Sequence, residues 1–356
     1  MAKDSTYMQR CLQLALKGEG YTRPNPMVGA VIVHNNVIIG EGYHRKYGGA
    51  HAEVNAVNSV KNPALLSQST LYVSLEPCSH YGKTPPCAEL IVSKKIPRVV
   101  VAVQDPNPHV AGNGIRLLRE AGVEVTVGIL EEEARELNRF FFINQLQHRP
   151  YIILKWAQSK DGFMDKKRTE DDALTPEILS NPLTQTMVHK FRAAIQGIMV
   201  GTNTAILDNP HLTVRKWHGN NPVRIVTDRN LRIPSDNALF NQNAPTFVFT
   251  EKKTREMTHK ENIRYITIDF SSNINQQIMS YLYTEKIQSV LVEGGAKLLS
   301  SFIAENLWDE AFIEISEKHL FSGTKAPHIQ QIEPTAKKYL DSLQIHLKNK
   351  ITRNFL

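Results

Sequence analysis

Five consecutive apolar residues, Val99 to Val103, constrain the fold of this chain more than any other stretch. A short, mostly β-branched run of this kind is typical of a strand that is buried on both faces. Segments with helical patterns flank it at Cys87 to Ser93 and Ile115 to Ala121, and a further strand is predicted at Val123 to Val127. Strands that alternate with helices favour a largely parallel sheet between two helical layers, which is a three-layer α/β domain.

The segments before this run extend the same pattern. An amphipathic helix is predicted near the N-terminus, with Asp4 or Ser5 as its cap. Its apolar face consists of Met8, Cys11, Leu12, Ala15 and Leu16. Asn35-Asn36 predicts a tight turn between two strands. The other predicted elements of this half are strands at Val28–Val33, Val37–Ile39 and Thr70–Leu75, a helix that opens around Ala50-His51 and a terminal helix over 131–143.

Pro150 indicates a boundary, because proline disfavours helix in the residue before it. We therefore expect a first domain over residues 1–148 and a second over 149–356. The second half repeats the alternation of strands and helices and is predicted to be another α/β domain. Its predicted strands are Tyr151–Ala157, Ile198–Val200, Val223–Val226, Phe247–Phe249, Tyr265–Ile268 and Val290–Val292, and its predicted helices cover 182–192, 274–284 and 296–305.

Composition excludes two classes of protein. Hydrophobic residues make up 41% and charged residues 22% of the 356 residues, which excludes a disordered chain. No apolar run approaches the length of a membrane span, and Met1 to Ser5 shows no secretory signal. The three cysteines, Cys11, Cys78 and Cys87, are too few for a disulfide framework. We therefore expect a reducing, cytoplasmic setting and no membrane partner.

The charge balance bears on the partners of the protein. The net charge is +7, from 42 Lys and Arg against 35 Asp and Glu. A basic excess favours anionic partners such as phosphates or nucleotides. Because the charge is spread along the chain without a Lys/Arg block, it does not by itself indicate a nucleic-acid binder.

One group of residues in the first half suits metal chemistry: His51-Ala52-Glu53, then Pro77-Cys78 and Cys87. A catalytic zinc takes three protein ligands and leaves a fourth position for water, and one His with two Cys supplies that set. The metal lowers the pKa of its water, and Glu53 is available as the general acid and base. A structural zinc would need a fourth ligand, from His80 or His44, and is the less favoured alternative.

The spacing resembles the signature of zinc nucleoside deaminases, His-x-Glu followed by Pro-Cys-x-x-Cys. It departs from that signature because eight residues, Ser79 to Pro86, separate Cys78 from Cys87. The longer loop carries polar and basic side chains, and we expect it to line a substrate pocket. Cys87 is predicted at the N-terminus of a helix, where the helix dipole favours its thiolate.

The second half has no glycine signature of a Rossmann domain, and Gly82-Lys83-Thr84 is not a P-loop because Pro77 stands where that loop needs glycine. Glu293-Gly294-Gly295 lies between a predicted strand and a predicted helix, so its backbone suits a phosphate. The same residues are equally consistent with a plain tight turn that binds no phosphate. Arg192 and Arg215 are either a bidentate phosphate clamp or two solvated side chains.

Several blocks of the first half resemble the deaminase half of the bifunctional riboflavin-biosynthesis deaminase/reductase family: Thr22–Gly29, Glu41–His44, His51–Glu53, Glu76–Cys87, Gln104–Pro108 and Ala111–Gly114. The long loop between the cysteines is usual in that family. The resemblance implies that Glu53 moves the proton and that zinc is bound by His51, Cys78 and Cys87. It also implies substrate contacts from Asn25, His44, His80 and Lys83. Without it, Asn25 is a turn residue and His44 a core histidine.

Blocks of the second half resemble the reductase half of the same family: Lys155–Gly162, Gly201–Thr204, Asp208–Arg215 and Glu293–Gly295. That half resembles dihydrofolate reductase in fold, which implies NADPH binding without a Rossmann signature. The implied NADPH contacts are Ala157, Thr204, Asp208 and the stretch Gly295 to Ser301, which includes Ala296 and Lys297. The implied substrate contacts are Arg192, Leu212, Arg215 and Glu293. Lys155 and Asp161 are candidate polar groups near the transferred hydride.

One element departs from the family pattern. The family usually has Ser-x-Trp-Ile-Thr after the Asp-Gly turn, whereas Asp171-Asp172-Ala173-Leu174-Thr175 corresponds to it here and an insertion precedes Arg192. We assign no ligand contact to residues 171–173. The rest of the reductase pattern is retained, so we expect the activity to be retained as well.

The resemblance implies a fold and a function together. The fold is an N-terminal cytidine-deaminase-like three-layer α/β/α domain followed by a C-terminal dihydrofolate-reductase-like α/β domain. The function is deamination of 2,5-diamino-6-(5-phosphoribosylamino)pyrimidin-4(3H)-one with zinc, followed by NADPH-dependent reduction of the ribosyl group to ribityl. The partners are then this small phosphoribosyl pyrimidine and further copies of the chain, as a dimer or tetramer, with no nucleic acid.

Two rival functions remain at this point. A base deaminase acting on tRNA or single-stranded DNA would share the zinc chemistry, but it leaves the second half without a role and requires aromatic residues beside basic ones. A non-catalytic, zinc-stabilised binding module would require four protein ligands to the metal.

Overall fold

The computed structural model describes residues 2–81, 85–107, 111–167, 175–253, 261–330 and 334–353. The chain divides into two compact units, the first running to Gln147 and the second beginning at His148. A helix with the length and apolarity to cross a membrane is not found among the described residues.

The first unit is a five-stranded sheet with helices on both faces. Its strands are β1 (Gly29–His34), β2 (Val37–Tyr43), β3 (Thr70–Val73), β4 (Arg98–Val101) and β5 (Glu124–Val127), in the order β2-β1-β3-β4-β5. Its helices are α1 (Ala2–Leu16), α2 (Ala52–Ser59), α3 (Cys87–Ser93), α4 (Asn113–Glu120), α5 (Glu131–Leu137) and α6 (Arg139–Gln147), with a short 3-10 helix at Pro63–Gln68.

The three layers follow from the alternation of side chains along the central strands. Val99 and Val101 of β4 pack in one apolar cluster with residues of α2, α3 and α4. Val100 packs in a second cluster with residues of α1, α5 and α6. All three valines are fully buried, so the prediction of a strand buried on both faces is confirmed.

The sheet is mixed, whereas a largely parallel one was expected. β3, β4 and β5 are parallel, but β1 is antiparallel to both β2 and β3. The reason lies in the turn at Asn35-Asn36, where both residues have positive φ and join β1 to β2 as a tight hairpin. The turn itself was predicted, but the orientation of β1 against β3 depends on partners distant in the sequence.

Two local predictions for helices were wrong. Asp4 and Ser5 lie inside α1 rather than at its cap, and Asp4 instead binds Arg98 and the Tyr72 hydroxyl. Leu16, expected on the buried face, is half exposed.

The terminal helix predicted over 131–143 is two helices that meet at Asn138. The Asn138 amide oxygen accepts from the Met27 backbone N–H at 2.8 Å, and its Nδ2 donates to the Met27 carbonyl at 2.9 Å. Because these bonds fix Asn138 to a distant loop, the helix breaks there.

The second unit contains a nine-stranded sheet in the order β11-β10-β9-β8-β12-β6-β13-β16-β15. The strands of this unit in chain order are β6 (Tyr151–Gln158), β7 (Phe163–Asp165), β8 (Gly197–Gly201), β9 (Val223–Thr227), β10 (Thr246–Thr250), β11 (Ile263–Thr267), β12 (Ser289–Gly294), β13 (Glu310–Ser316), β14 (Thr324–Lys325), β15 (Thr335–Tyr339) and β16 (Ser342–Lys348). β7 and β14 lie outside the nine-stranded sheet and pair with each other. The helices are α7 (Pro182–Ala194), α8 (Thr202–Asp208), α9 (Ile274–Thr284), α10 (Ala296–Ala304) and α11 (Lys350–Arg353), with a 3-10 helix at Ala238–Phe240.

In the order of the sheet, each strand from β11 at one edge through β10, β9, β8, β12 and β6 to β13 is parallel to its neighbour. β16 then pairs antiparallel with β13, and β15 pairs antiparallel with β16 at the other edge. α9 and α10 pack on the sheet through one apolar cluster that includes Leu282, Phe302 and Trp156. The sequence did not predict β7 or the strands β13 to β16. β15 is almost entirely exposed and carries Lys337 and Lys338, so it has no apolar alternation to reveal it.

Close contact between α2 and β2 depends on Gly42. A Cβ at this position would lie 2.3 Å from the Ala56 backbone N and 2.4 Å from the Ala52 backbone O of α2. A side chain there would push α2, which begins directly after His51, away from the sheet.

We predict that Gly42→Ala lowers the free energy of unfolding of the first unit by about 1–3 kcal/mol, because the added carbon overlaps helix backbone that cannot rotate away. Thermal and urea unfolding of the full chain measure this loss. Gly201→Ala is the control, because its added Cβ would meet Leu298 at an ordinary 3.8 Å. Equal stability of Gly42→Ala and the unchanged chain would contradict the packing described.

Candidate active sites

Three elements of the first unit bring one imidazole and two thiols together. His51 occupies the N-cap position of α2, Cys87 is the first residue of α3, and Cys78 lies in the loop after β3. The His51 Nδ1 is 3.5 Å from the Cys78 Sγ and 3.3 Å from the Cys87 Sγ. The three donor atoms lie within 4.8 Å of one another, a spacing that one metal ion can bridge. Two thiolates and an imidazole suit zinc.

The two cysteines differ in their electrostatic environment. A hydrogen bond from Cys87 lowers the pKa of the Cys78 thiol to about 4, and His51 adds to this lowering. The hydrogen bond to Cys78 and burial raise the pKa of Cys87. The backbone N–H of Cys87, at the start of α3, donates to the Cys78 Sγ at 3.3 Å. Cys87 therefore lies at a helix N-terminus, as the sequence predicted, and this N-terminus also stabilises the sulfur of Cys78.

Glu53 lies beside these donors in the first turn of α2 and is only 3% exposed. Burial raises the pKa of its carboxyl to about 7, and the nearby Cys78 sulfur adds to the increase. The site thus contains a buried acid next to three metal-binding atoms, and a catalytic zinc needs such a proton-transfer group close to its open position.

Asn25 and His44 lie at the same site. The His44 ring is 5.6 Å from the His51 ring in an edge-on arrangement. Its Nδ1 lies 3.1 Å from the Ala50 carbonyl oxygen and its Nε2 lies 3.2 Å from the Asn25 Nδ2. These partners assign the proton to Nδ1 and leave Nε2 as an acceptor. Burial also lowers the pKa of His44, so the ring is neutral near pH 7.

The two other candidate substrate contacts of the first half, His80 and Lys83, are not placed at this site by the described residues. His80 is exposed, and Lys83 lies outside the described residues. Among the described residues the metal-binding group consists of His51, Cys78 and Cys87, without an atom from His44 or His80. This arrangement favours an open-sided catalytic site over a closed structural one.

In the second unit, a cleft of about 780 Å³ lies where the carboxyl ends of β8, β9 and β12 meet. Ligands of open α/β sheets bind at such ends. The cleft brings together most of the candidate cofactor residues: Thr204, Asp208, Gly295, Ala296 and Lys297.

The glycine pair shapes the floor of this cleft. Gly294 ends β12 with φ at +136°, a conformation that side chains rarely adopt, and Gly295 caps the N-terminus of α10. A Cβ on Gly295 would lie 2.9 Å from the Thr204 Oγ1. The backbone at this helix start is therefore bare, as a phosphate of a dinucleotide requires. The residues present fit NADPH.

A second cavity of about 270 Å³ shares Asp208 and Glu293 with the cleft. Lys155 and Ala157 line it, together with the segment Pro176 to Ser180. Burial lowers the pKa of Lys155, while Glu293 and Glu314 oppose the shift. Residues 171–174 of the departing stretch lie outside the described residues, so the wall of this cavity is described from Pro176 onward.

Arg192 and Glu293 form a buried ion pair. Arg192 donates to the Glu293 carboxylate through Nη2 at 2.6 Å and Nε at 3.2 Å, and both side chains are 12% exposed. The solvated alternative is thus wrong for Arg192. Arg215 has an exposed side chain, and its backbone N–H donates to the His189 Nδ1 at 3.0 Å. Leu212 is buried with a positive φ in the same loop.

Asp161 is placed differently from the expectation. Its carboxylate accepts from the Ser159 hydroxyl and from the backbone N–H groups of Leu320 and Phe321. It is not among the described residues that line the two cavities. These bonds fix a turn, so the geometry gives Asp161 no position beside Lys155.

Sequence reasoning missed one side of the cleft, which consists of the loop Phe270 to Asn273 and the first residues of α9. Sequence signals were present, because a strand was predicted directly before this loop and ligands collect beyond the carboxyl ends of parallel strands. It also missed Thr202 and Thr227 as lining residues, whereas Ser301 belongs to the stretch that the resemblance implied.

Comparison with known proteins places both units in known families. Residues 1–103 match the cytidine and deoxycytidylate deaminase zinc-binding region, and residues 150–346 match the RibD C-terminal domain. Riboflavin biosynthesis protein RibD of Aquifex aeolicus is 42% identical over 323 residues, which cover 90% of this chain and 88% of that protein. The corresponding protein of Escherichia coli is 35% identical and covers 91% of this chain and 90% of its own length.

Solved structures agree with these relatives. A diaminohydroxyphosphoribosylaminopyrimidine deaminase/5-amino-6-(5-phosphoribosylamino)uracil reductase from Thermotoga maritima superposes with a TM-score of 0.87 at 35% identity, over 98% of this chain and 99% of that one. Acinetobacter baumannii RibD superposes with a TM-score of 0.84 at 32% identity, with the same coverage.

We predict that Cys78→Ser and Cys87→Ser each lose most of the bound zinc, because serine is a poor ligand for this metal. Metal content by mass spectrometry and the sulfur-to-cobalt absorption of cobalt-loaded protein measure the loss. Cys11→Ala is the matched control, since Cys11 is the remaining cysteine of the chain and is buried in the core near Tyr72. Full zinc retention in either serine variant would exclude that cysteine as a ligand.

Proposed function

This chain belongs to the RibD family of riboflavin biosynthesis proteins, and from that premise we propose which of its residues carry the two activities. It is a bifunctional enzyme of the riboflavin pathway, with a zinc-dependent deaminase and an NADPH-dependent reductase. We assign the deaminase to residues 1–148 and the reductase to residues 149–356. The observation that carries the deaminase assignment is the meeting of His51, Cys78 and Cys87 beside the buried Glu53.

The substrate we propose for the first site is 2,5-diamino-6-(5-phosphoribosylamino)pyrimidin-4(3H)-one. Support comes from the solved relative of Thermotoga maritima, whose name describes this deamination and the reduction that follows. The match of residues 150–346 to the RibD C-terminal domain gives the second half a role, which a nucleic-acid base deaminase does not. The net charge of +7 suits a phosphorylated substrate.

In the deaminase, His51, Cys78 and Cys87 would hold the zinc. Zinc, when bound, supplies a water of lowered pKa as nucleophile near neutral pH. The Glu53 carboxylate takes a proton from the attacking water and gives it to the nitrogen of the amine that leaves. Asn25 and His44 would orient the pyrimidine ring, with the neutral His44 holding the Asn25 amide in place through Nε2. His80 and Lys83 are further proposed substrate contacts.

In the reductase, Thr204, Asp208, Gly295, Ala296 and Lys297 would hold NADPH along the larger cleft, and Ala157 would face it from the smaller cavity. NADPH, when bound, supplies the hydride. Reduction breaks the bond between the ribosyl C1 and the ring oxygen, which then takes a proton, and the Lys155 Nζ is proposed to hold this proton. The substrate contacts proposed are Arg192, Leu212, Arg215 and Glu293.

Glu293 favours the protonated form of Lys155 in this proposal. Arg192 fixes the Glu293 carboxylate by two hydrogen bonds, and Glu293 in turn raises the pKa of the buried Lys155 against the effect of burial. A carboxylate that is fixed in this way favours the protonated lysine that reduction needs. Arg215 is exposed in the same loop as Thr213, whose carbonyl accepts from Arg192, so it is placed to reach a phosphate from solvent.

Two further properties are proposed. The chain is expected to act in the cytoplasm as a homo-oligomer, a dimer or a tetramer. The free cysteines of the described chain support the cytoplasmic location. Light scattering of the purified protein tests the oligomeric state.

We predict that Glu53→Gln lowers ammonia release by at least about 10²-fold, because the amide cannot accept and return a proton. Ammonia release and NADPH absorbance are followed together with the phosphoribosyl diaminopyrimidine as substrate. Zinc content is expected to stay unchanged, and so is NADPH consumption with the already deaminated substrate. Ammonia release at the normal rate would overturn the role given to Glu53.

We predict that Lys155→Met lowers reduction of the deaminated substrate by about 10²-fold through loss of the proton donor. Ammonia release and the dissociation constant for NADPH, measured by fluorescence titration, are expected to stay unchanged. Lys160→Met is the matched control, because Lys160 is exposed and pairs with Glu317. Undiminished reduction in Lys155→Met would show that the proton comes from another group.

A further inference from the structure

Glu76 is a buried carboxylate that no step of the proposed reactions uses. Its side chain is bonded only to backbone in the described chain, and the residue is 4% exposed. The Oε1 accepts from the N–H groups of Gly114 at 2.9 Å and Ile115 at 3.2 Å. The Oε2 accepts from those of Gly112 at 3.0 Å and Asp105 at 3.2 Å. Four donors on one carboxylate fill the four lone-pair sites that such a group offers.

Three of these donors belong to the start of α4. Gly112, Gly114 and Ile115 surround the helix N-terminus, which has no side-chain cap of its own. Glu76 therefore caps α4 from another part of the chain. Contact is tight, because a Cβ on Gly114 would lie 2.0 Å from the Pro77 carbonyl oxygen. The segment that leads to Cys78 therefore packs directly against the start of α4.

The other end of the segment 76–78, at Cys78, is hydrogen-bonded to the start of α3. The Cys78 carbonyl accepts from the Ala88 N–H at 3.1 Å, and the Cys78 Sγ accepts from the Cys87 N–H at 3.3 Å. Residues 76–78 therefore bridge two helix starts, with a carboxylate at one and a sulfur at the other. Proline between them restricts the backbone further. A rotation of the Glu76 side chain would therefore displace the Cys78 sulfur.

Glu76 also fixes the loop on its far side. The Asp105 N–H that it holds begins a turn in which the Asn107 N–H donates to the Asp105 Oδ1 at 2.8 Å. The Asp105 carboxyl is close enough to Cys78 and His80 to interact with both electrostatically. One carboxylate thus sets the distance between the cysteine loop and the loop beside it.

We propose that Glu76 is a positioning residue of the deaminase centre, which fixes Cys78 for metal binding through its four hydrogen bonds to the backbone at Asp105, Gly112, Gly114 and Ile115. The proposal rests on the proposed function only in taking Cys78 as a zinc ligand. Glutamine in its place keeps the shape but offers one oxygen, so two of the four N–H groups would face an NH₂ group instead of an acceptor.

The test compares Glu76→Gln with the unchanged full-length chain. Zinc affinity is measured by competition with a chromophoric chelator, and geometry by the visible absorption of cobalt-loaded protein. We expect affinity to fall by about 10–100-fold, which is usual when a group that orients a metal ligand is removed, with a changed cobalt spectrum. NADPH-dependent reduction of the deaminated substrate, carried by the other unit, is expected to stay unchanged.

Glu41→Gln is the matched control. Glu41 lies in the same unit, and its carboxylate accepts two hydrogen bonds from Arg10, at 2.6 and 2.9 Å. Its zinc affinity and cobalt spectrum are expected to match those of the unchanged chain. An equal loss of affinity in both variants would overturn the proposal, because the effect would then be general destabilisation.

Two further results would overturn it: zinc affinity within twofold of normal in Glu76→Gln, or a normal cobalt spectrum. If Glu76→Gln does not fold, Glu76→Asp replaces it, since it keeps both oxygens but is one methylene shorter. It is then expected to bind zinc less tightly than Glu41→Gln. Failure of the proposed function would appear separately, as zinc-loaded unchanged protein that releases no ammonia.

Discussion

Unsatisfied backbone N–H groups at helix starts are the constraint on which the deaminase centre depends. Each helix start exposes N–H groups that need acceptors. At α3 the acceptors are the carbonyl and sulfur of Cys78, and at α4 they are the oxygens of Glu76. Because both helix starts favour negative charge, they hold a carboxylate and a thiolate close together. These bonds hold the Cys78 sulfur beside Cys87, and His51 at the start of α2 completes the metal-binding group.

Local sequence signals predicted the elements that local chemistry determines. α3 and α9 have the bounds that their patterns predict, and the Asn35-Asn36 hairpin has the left-handed residues that such a turn needs. The pairing direction of β1 with β3 was not predictable in this way, since it depends on strands more than thirty positions apart. The break at Asn138 is of the same kind, because its partner is Met27.

The grouping of His51, Cys78 and Cys87 was predictable because these residue types are scarce in the sequence and their metal chemistry is specific. Glu76 was not, although it stands two residues before Cys78. Glutamates are common, and the role of this one follows only from N–H groups 29 to 39 positions further along the chain. Asp161 shows the converse: its place beside a glycine turn resembled a reductase motif, but its carboxylate is committed to the backbone of Leu320 and Phe321.

One side of the smaller cavity of the reductase depends on contacts between residues that are distant in the sequence. The segment Pro176 to Ser180 closes one side of it, and long-range bonds fix this segment. Lys318 donates to the Glu177 Oε1 and to the Ile178 carbonyl, while the Ser180 hydroxyl donates to Glu314. These bonds tie the segment to strand β13 and to the residues after it. This side of the cavity is therefore fixed by residues more than 130 positions away in the sequence.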